Sequence, residues 1–433
     1  YNSLFPFIQR AMDGELNVLW PKKTNWFAKS SGTTEAKSKF IPVTEESLEE
    51  CHVKGGKDLL SIYCNNHPDT GLFNGKLLSL GGSHEAGSYD NDTFYGDLSA
   101  ILIQNLPLWV QLFRTPDISI ALMGEWESKI EQIALTTINE DVTNIAGVPS
   151  WTLVLLNRIL EITGKNNISE VWPNLELFAH GAVSFDPYRK QFNDLIPNPR
   201  MNFYETYNAS EGFFGIQDRH GSDEMLLMLD YGIFYEFIPM EEWGKEFPLT
   251  HTLDTVELEK NYAVVISTNA GLWRYMIGDT VKFTSLMPYR IQITGRTKHF
   301  INAFGEELMV DNTDRAISIA CEQTGAIVSE YTAAPIYFSH SSNGAHEWLI
   351  EFEKDPVGLN DFVYELDTAL KNLNSDYEAK RYKSMVLQPL KLHVLPSGTF
   401  YKWLQSKGKL GGQHKVPRLS NERQYVEEIL ALV

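Results

Sequence analysis

The run Ser30-Ser31-Gly32-Thr33-Thr34-Glu35-Ala36-Lys37-Ser38-Lys39 sets hydroxyl side chains around one glycine and adds lysines behind them. Glycine lets backbone amides come close to an anion, hydroxyls add donors and lysine supplies neutralising charge, so the composition is that of a phosphate-binding loop. Taken alone, the same composition also makes a solvated turn. A second concentration is Tyr207-Asn208-Ala209-Ser210-Glu211-Gly212, an aromatic ring followed by a hydroxyl and a carboxylate. Asp279 follows Gly278, and a carboxylate in such a position can accept from two neighbouring hydroxyls. Near the end, Gln413-His414-Lys415 closes the glycine-rich stretch 407–415.

Read in order, SSGTT, YNASEG, WRYMIGD (Trp273 to Asp279) and ITGR (Ile293 to Arg296) resemble the adenylate-forming enzymes that include acyl-CoA synthetases and luciferases. SSGTT followed by KSKF and by Ile41-Pro42-Val43-Thr44 narrows the resemblance to one branch, the auxin-responsive acyl acid amido synthetases of the Gretchen Hagen family. It runs over essentially the whole chain. The resemblance implies an ATP- and Mg²⁺-dependent ligase. A small carboxylic acid attacks the α-phosphate of ATP to give an acyl-adenylate, and an amino acid amine then takes the acyl group and releases AMP.

By the same resemblance, Ser30, Ser31, Gly32, Thr33 and Thr34 bind the ATP phosphates. Tyr207 stacks on adenine, Ser210 approaches the α-phosphate, Glu211 holds Mg²⁺ and Asp279 accepts from the ribose hydroxyls. Arg296 or Lys298 binds nucleotide in one orientation of a mobile small domain, and Lys415 neutralises charge at the α-phosphate. The chain departs from the family pattern twice. Ala36 stands where plant members have glycine, and Met276 stands where the amido synthetases have arginine, so no role is carried over for that arginine. An acyl-CoA ligase, which shares the first half-reaction, is the alternative enzyme. A nucleotide-binding regulatory protein without catalysis is the alternative outside enzymes.

Composition bounds these readings. The chain has 433 residues, 43% of them hydrophobic and 21% charged, which is an ordinary globular composition with length for more than one domain. A formal charge of −19 argues against general nucleic-acid binding, which needs a basic face, but not against a nucleotide held locally. Cys51, Cys64 and Cys321 are few and widely spaced, without a disulfide framework or a metal-binding pair, so a reducing, cytoplasmic setting is expected. No apolar run reaches about eighteen residues, so no membrane span is expected. The chain opens at Tyr1 rather than methionine, and a further N-terminal segment is expected. Nothing in the sequence indicates an oligomeric state.

The expected fold is α/β. A large adenylate-forming N-terminal domain, residues 1–296 with mixed sheets and a barrel-like part, precedes a smaller mobile α+β domain, residues 297–433. Thr44 and Ser47 mark a helix start, while Pro149 and Gly164 bracket an apolar helix. Short strands recur from Leu175 to Thr268, and their close spacing after Glu224 predicts antiparallel pairing. Trp109, Val148 and Trp151 line either an acyl pocket or the core. His84 and His180 are read as structural histidines.

Overall fold

The structure is a computed structural model that describes residues 1–31, 38–81, 87–89, 92–183, 185–297, 300–338, 343–407 and 416–433. The chain divides into two compact units. One comprises residues 1–30 and 39–297, the other residues 31–38 and 298–433.

Up to residue 181 the strands run Trp26–Ser31 (β1), Ser38–Val43 (β2), Lys76–Ser79 (β3), Gly87–Tyr89 (β4), Thr93–Gly96 (β5), Arg114–Thr115 (β6), Val142–Ala146 (β7) and Leu177–Gly181 (β8). There follow Asn202–Ala209 (β9), Gly212–Ile216 (β10), Met225–Leu227 (β11), Ile233–Pro239 (β12), Asn261–Thr268 (β13), Tyr275–Leu286 (β14) and Tyr289–Arg296 (β15). A small sheet has the order β2-β1-β5-β4, and a large one the order β12-β13-β14-β15-β11-β10-β9-β8-β7-β3-β6. Strands β6, β3, β7, β8 and β9 are mutually parallel, and every pairing from β9 round to β12 is antiparallel. The antiparallel strands expected after Glu224 therefore continue the parallel ones in a single sheet. β9 is where the pairing changes, parallel to β8 on one side and antiparallel to β10 on the other.

Local chemistry accounts for the helices that cover this sheet. Thr44 Oγ1 accepts from Ser47 N and Ser47 Oγ accepts from Thr44 N, a reciprocal cap with Ser47 in place of the usual Glu. The turn it opens passes through a π-helical stretch, Leu48–Val53, into an α-helix ending at Asn66. The helix Pro149–Thr163 begins on its proline and stops at Gly164, whose φ of 65° is the left-handed conformation that suits glycine. The stretch 98–113 is interrupted at Pro107 into two helices, Leu98–Asn105 and Leu108–Phe113, because proline offers no N–H to continue the first. Tyr204, Phe214, Phe237, Tyr262, Val264 and Phe283 are buried in the main core, which the inward faces of the antiparallel strands fill. Burying such side chains stabilises the unit by about 1.5–3 kcal/mol each.

The smaller unit has a hairpin, Phe300–Ile301 (β16) with Leu308–Met309 (β17), and a three-stranded sheet. In that sheet Ile327–Ile336 (β18) pairs antiparallel with Ala345–Lys354 (β19), and Lys391–Leu395 (β20) pairs parallel with β19. The helices Val310–Thr324 and Leu359–Leu373 connect these strands. A separate core gathers Leu349, Leu395, Phe400, Trp403, Val426 and Ile429. Buried charges elsewhere in the unit are paired: Arg381 donates to both oxygens of Asp367, and Tyr377 Oη donates to Asp367 Oδ1. No helix among the described residues is long and apolar enough to cross a membrane.

Candidate active site

In an open α/β sheet, ligands bind beyond the carboxyl ends of the parallel strands, where the strand order or sense changes. Here that edge carries Gly81 after β3, Gly147 and Val148 after β7, Gly181 and Ala182 after β8, and Ser210 and Glu211 after β9. Ser210 and Glu211 are the two central residues of the β9–β10 hairpin, since Ala209 pairs with Gly212. Glu211 is buried and Ser210 half-buried. The backbone holding them is tight. Gly181 pairs with Thr206, and a Cβ on it would stand 2.5 Å from the Thr206 carbonyl oxygen. Thr206 Oγ1 in turn donates to the His180 carbonyl at 3.0 Å.

Tyr207, Asp279 and Arg296, far apart in sequence, meet here. Asp279 on β14 lies opposite Arg296 on β15 in the ladder, and Arg296 Nε is 2.8 Å from Asp279 Oδ1. Tyr207 Oη donates to Asp279 Oδ2 at 2.7 Å. Burial, followed by the Asp279 charge, pushes the Tyr207 phenol well above its ordinary pKa, so it remains a donor at neutral pH. The Gly278 carbonyl accepts from Thr297 N at 2.8 Å, which fixes the end of β15 beside Asp279. Gly278 itself has a φ of 97°, a backbone that a side chain would strain.

The remaining predicted residues divide into described and undescribed. Gly32, Thr33, Thr34, Lys298, His84 and Lys415 lie outside the described residues, as do the side chains of Ser30, Ser31 and Trp109. Val148 caps the helix Pro149–Thr163 and is half-buried. Trp151 is buried and stacks on Trp126, with centroids 4.0 Å apart and planes 8° from parallel. Its burial in that stack means that it packs between helices. Met276 is exposed on β14, and the nearby Arg274 is held by Glu236 at 2.9 Å. His180 is buried and stacked on Phe185, and burial lowers its pKa to about 3, so it is neutral and structural.

Lys129 is a residue that sequence reasoning did not single out. Its Nζ donates to the Gly81 carbonyl at 2.9 Å and lies 4.7 Å from the Trp126 ring centroid. Burial lowers its pKa to about 8, opposed by the charge of Asp97. Nothing in the helical pattern distinguishes this lysine from a surface one; the signal is its place beneath the end of β3.

Mg²⁺ is best held by one or two carboxylates together with phosphate oxygens and water. Glu211, buried in a turn beside a hydroxyl, fits that demand. No group of three or more metal-ligating side chains occurs among the described residues.

The sequence matches the GH3 family N-terminal domain over residues 1–201, the central domain over 226–296 and the C-terminal domain over 311–424. It is 26% identical to the indole-3-acetic acid-amido synthetase GH3.3 of Arabidopsis thaliana, over 69% of this chain but 54% of that protein, so it spans about half that relative's length. It is 23% identical to the 4-substituted benzoates-glutamate ligase GH3.12 of the same plant, covering 96% of this chain and 85% of that one. With the jasmonoyl-L-amino acid synthetase GH3.5 of Oryza sativa subsp. japonica it shares 24% identity, over 97% and 85%. In fold it resembles the AtGH3.15 acyl acid amido synthetase, with a TM-score of 0.60 at 16% identity, covering 100% of this chain and 86% of that one. It also resembles a 2-hydroxyisobutyryl-CoA ligase, with a TM-score of 0.56 at 12% identity, over 94% and 76%. With three consecutive family domains matched along its length, the chain belongs to the GH3 family.

Proposed function

We propose that this protein is an ATP-dependent, AMP-forming acyl acid amido synthetase. The observation that carries the reading is the Tyr207–Asp279–Arg296 cluster, with Ser210 and Glu211 in the turn that follows Tyr207, at the edge where the sheet changes from parallel to antiparallel. Its relatives' names supply the reaction class. A carboxylate resists attack by an amine, and joining it to phosphate creates a leaving group. In the first step an oxygen of the acid attacks the α-phosphorus, the new O–P bond forms and pyrophosphate departs. In the second an amino acid nitrogen attacks the acyl carbon, the C–N bond forms as the acyl C–O bond breaks, the nitrogen loses its proton, and AMP departs keeping that oxygen on its phosphorus.

The residues act mainly by position and charge, as phosphoryl transfer requires. The reading assigns the ATP phosphates to Ser30, Ser31, Gly32, Thr33 and Thr34, the adenine to Tyr207 and the ribose to Asp279. It assigns the α-phosphate to Ser210, with Lys415 and either Arg296 or Lys298 supplying positive charge. Glu211 would hold Mg²⁺, which neutralises phosphate charge when bound. Residues 1–296 form the adenylating domain and residues 297–433 a mobile domain. The three unpaired cysteines favour a reducing, cytoplasmic setting.

The test is carboxylate-dependent ATP–pyrophosphate exchange with Mg²⁺ and pooled aromatic, aliphatic and indole acids. Exchange with one pool is expected, and splitting that pool names the acid. Amide formation with an amino acid but no thioester with CoA is then expected, and thioester alone would make the protein an acyl-CoA ligase. Absence of exchange with every pool would count against adenylation.

A further inference from the structure

A tyrosine that only stacks on a base uses its ring face, and its hydroxyl is dispensable. Tyr207 is built differently. It is 6% exposed, and its ring lies tilted against Phe214 with centroids 4.8 Å apart, so the hydroxyl is buried together with the ring. Its hydroxyl is instead engaged with Asp279 Oδ2, while Arg296 holds Oδ1. Asp279 is itself buried on a strand beside Gly278. Two fixed donors, one on each oxygen, set the plane of the carboxylate and so decide where its other lone-pair directions point. A buried acceptor with a fixed direction discriminates strongly against a ligand that lacks the matching donor.

We propose that Tyr207 is a positioning residue for nucleotide selection: with Arg296 its hydroxyl orients the Asp279 carboxylate toward the two vicinal hydroxyls of a ribose. The site thereby takes ribonucleoside triphosphates and rejects their deoxy forms. This deepens the ATP reading given above and rests on it. Under this assignment the phenol oxygen of Tyr207 matters as well as its ring, and it acts through Asp279 without touching the reacting atoms.

The experiment is calorimetric binding of ATP, 2′-deoxy-ATP and 3′-deoxy-ATP, with Mg²⁺, to the full chain and to its Tyr207→Phe variant. No acid substrate is needed. The wild-type chain is expected to prefer ATP over at least one deoxy form by about tenfold or more, the worth of a hydrogen bond to a charged group. Phenylalanine keeps the ring, so a stacking role predicts unchanged binding. A positioning role predicts ATP binding weakened about five- to tenfold and the ATP-to-deoxy ratio reduced to roughly two- or threefold. A ratio unchanged in Tyr207→Phe, or a wild-type chain that does not distinguish the sugars, overturns the proposal. If the wild-type chain binds none of the three nucleotides, the ATP reading itself falls and this one with it. Should Tyr207→Phe fail to fold, 3-fluorotyrosine at position 207 keeps ring and hydroxyl while strengthening the donor, and a ratio unmoved by it is equally adverse.

Discussion

Gly181→Ala is the substitution whose effect can be worked furthest from the geometry. Gly181 ends β8 and pairs with Thr206 of β9, three residues before the turn that carries Ser210. An added Cβ would stand 2.5 Å from the Thr206 carbonyl oxygen, 3.0 Å from Thr206 Oγ1 and 3.1 Å from Asn208 Oδ1. The nearest of these is backbone, so no side-chain rotation relieves it, and a separation of 3.0 Å or more demands that β9 retreat by at least about half an ångström. Overpacking of this kind costs about 1–3 kcal/mol. At roughly 2–4 °C per kcal/mol for a unit of this size, the melting temperature should fall by about 2–12 °C. The protein stays folded at 25 °C, yet the strand that moves holds Tyr207 and leads to Ser210 and Glu211. Misplacement by about 1 Å can cost about a hundredfold in rate, so exchange activity should fall by at least about tenfold while circular dichroism at 25 °C is unchanged. Wild-type melting together with wild-type exchange would refute the reasoning, because the β8–β9 edge would then yield without moving the site.

Two further substitutions test separate parts of the site. Glu211→Ala is expected to lower exchange about a hundredfold and to raise the Mg²⁺ concentration needed for half-maximal exchange; retained activity at low Mg²⁺ would remove Glu211 from metal binding. Lys129→Met tests the buried ammonium. Its folded-state pKa of about 8 lies below the ordinary 10.5, so its contribution to stability is fully present above pH 10.5 and is lost as pH falls through 8. The variant lacks this dependence. Its stability relative to wild type is therefore expected to decline by about 3 kcal/mol between pH 7 and pH 10.5 in urea titrations, and a difference independent of pH would show that Lys129 titrates normally.

Local signals in the sequence were legible where the physics is local. The Thr44–Ser47 cap, the Pro149 start and the Gly164 stop each depend on backbone groups within a few residues, and each forms. In the second unit the α+β pattern expected from the sequence appears as β18 and β19, the helix Leu359–Leu373 and β20. What could not be read needs partners from afar. The helix through Leu48 and Val53 continues to Asn66 across Gly55 and Gly56, a pair that locally weakens a helix. Gly55 is required there because the Phe213 ring lies 2.6 Å from where its Cβ would be. In the same way the residue types of Tyr207, Asp279 and Arg296 were visible, but the hydroxyl-to-carboxylate bond spans 72 positions and follows from strand pairing alone. Trp151, offered as pocket or core, was undecidable without Trp126 beside it.

The order of strands has a consequence for how the site comes into being. β12, β13, β14 and β15 form a meander in which every neighbour in space is a neighbour in sequence, whereas β9 and β10 belong to a hairpin built elsewhere in the chain. The two are joined along a short seam, Met225 opposite Ile291 and Leu226 opposite Arg290, reinforced by Arg290 on Asp218 and by Thr284 on Glu224. Asp279 and Arg296 arrive with the meander and Tyr207 with the hairpin. The bond between Tyr207 and Asp279 therefore crosses the seam, and closing the sheet and assembling the site are a single event in the life of the molecule.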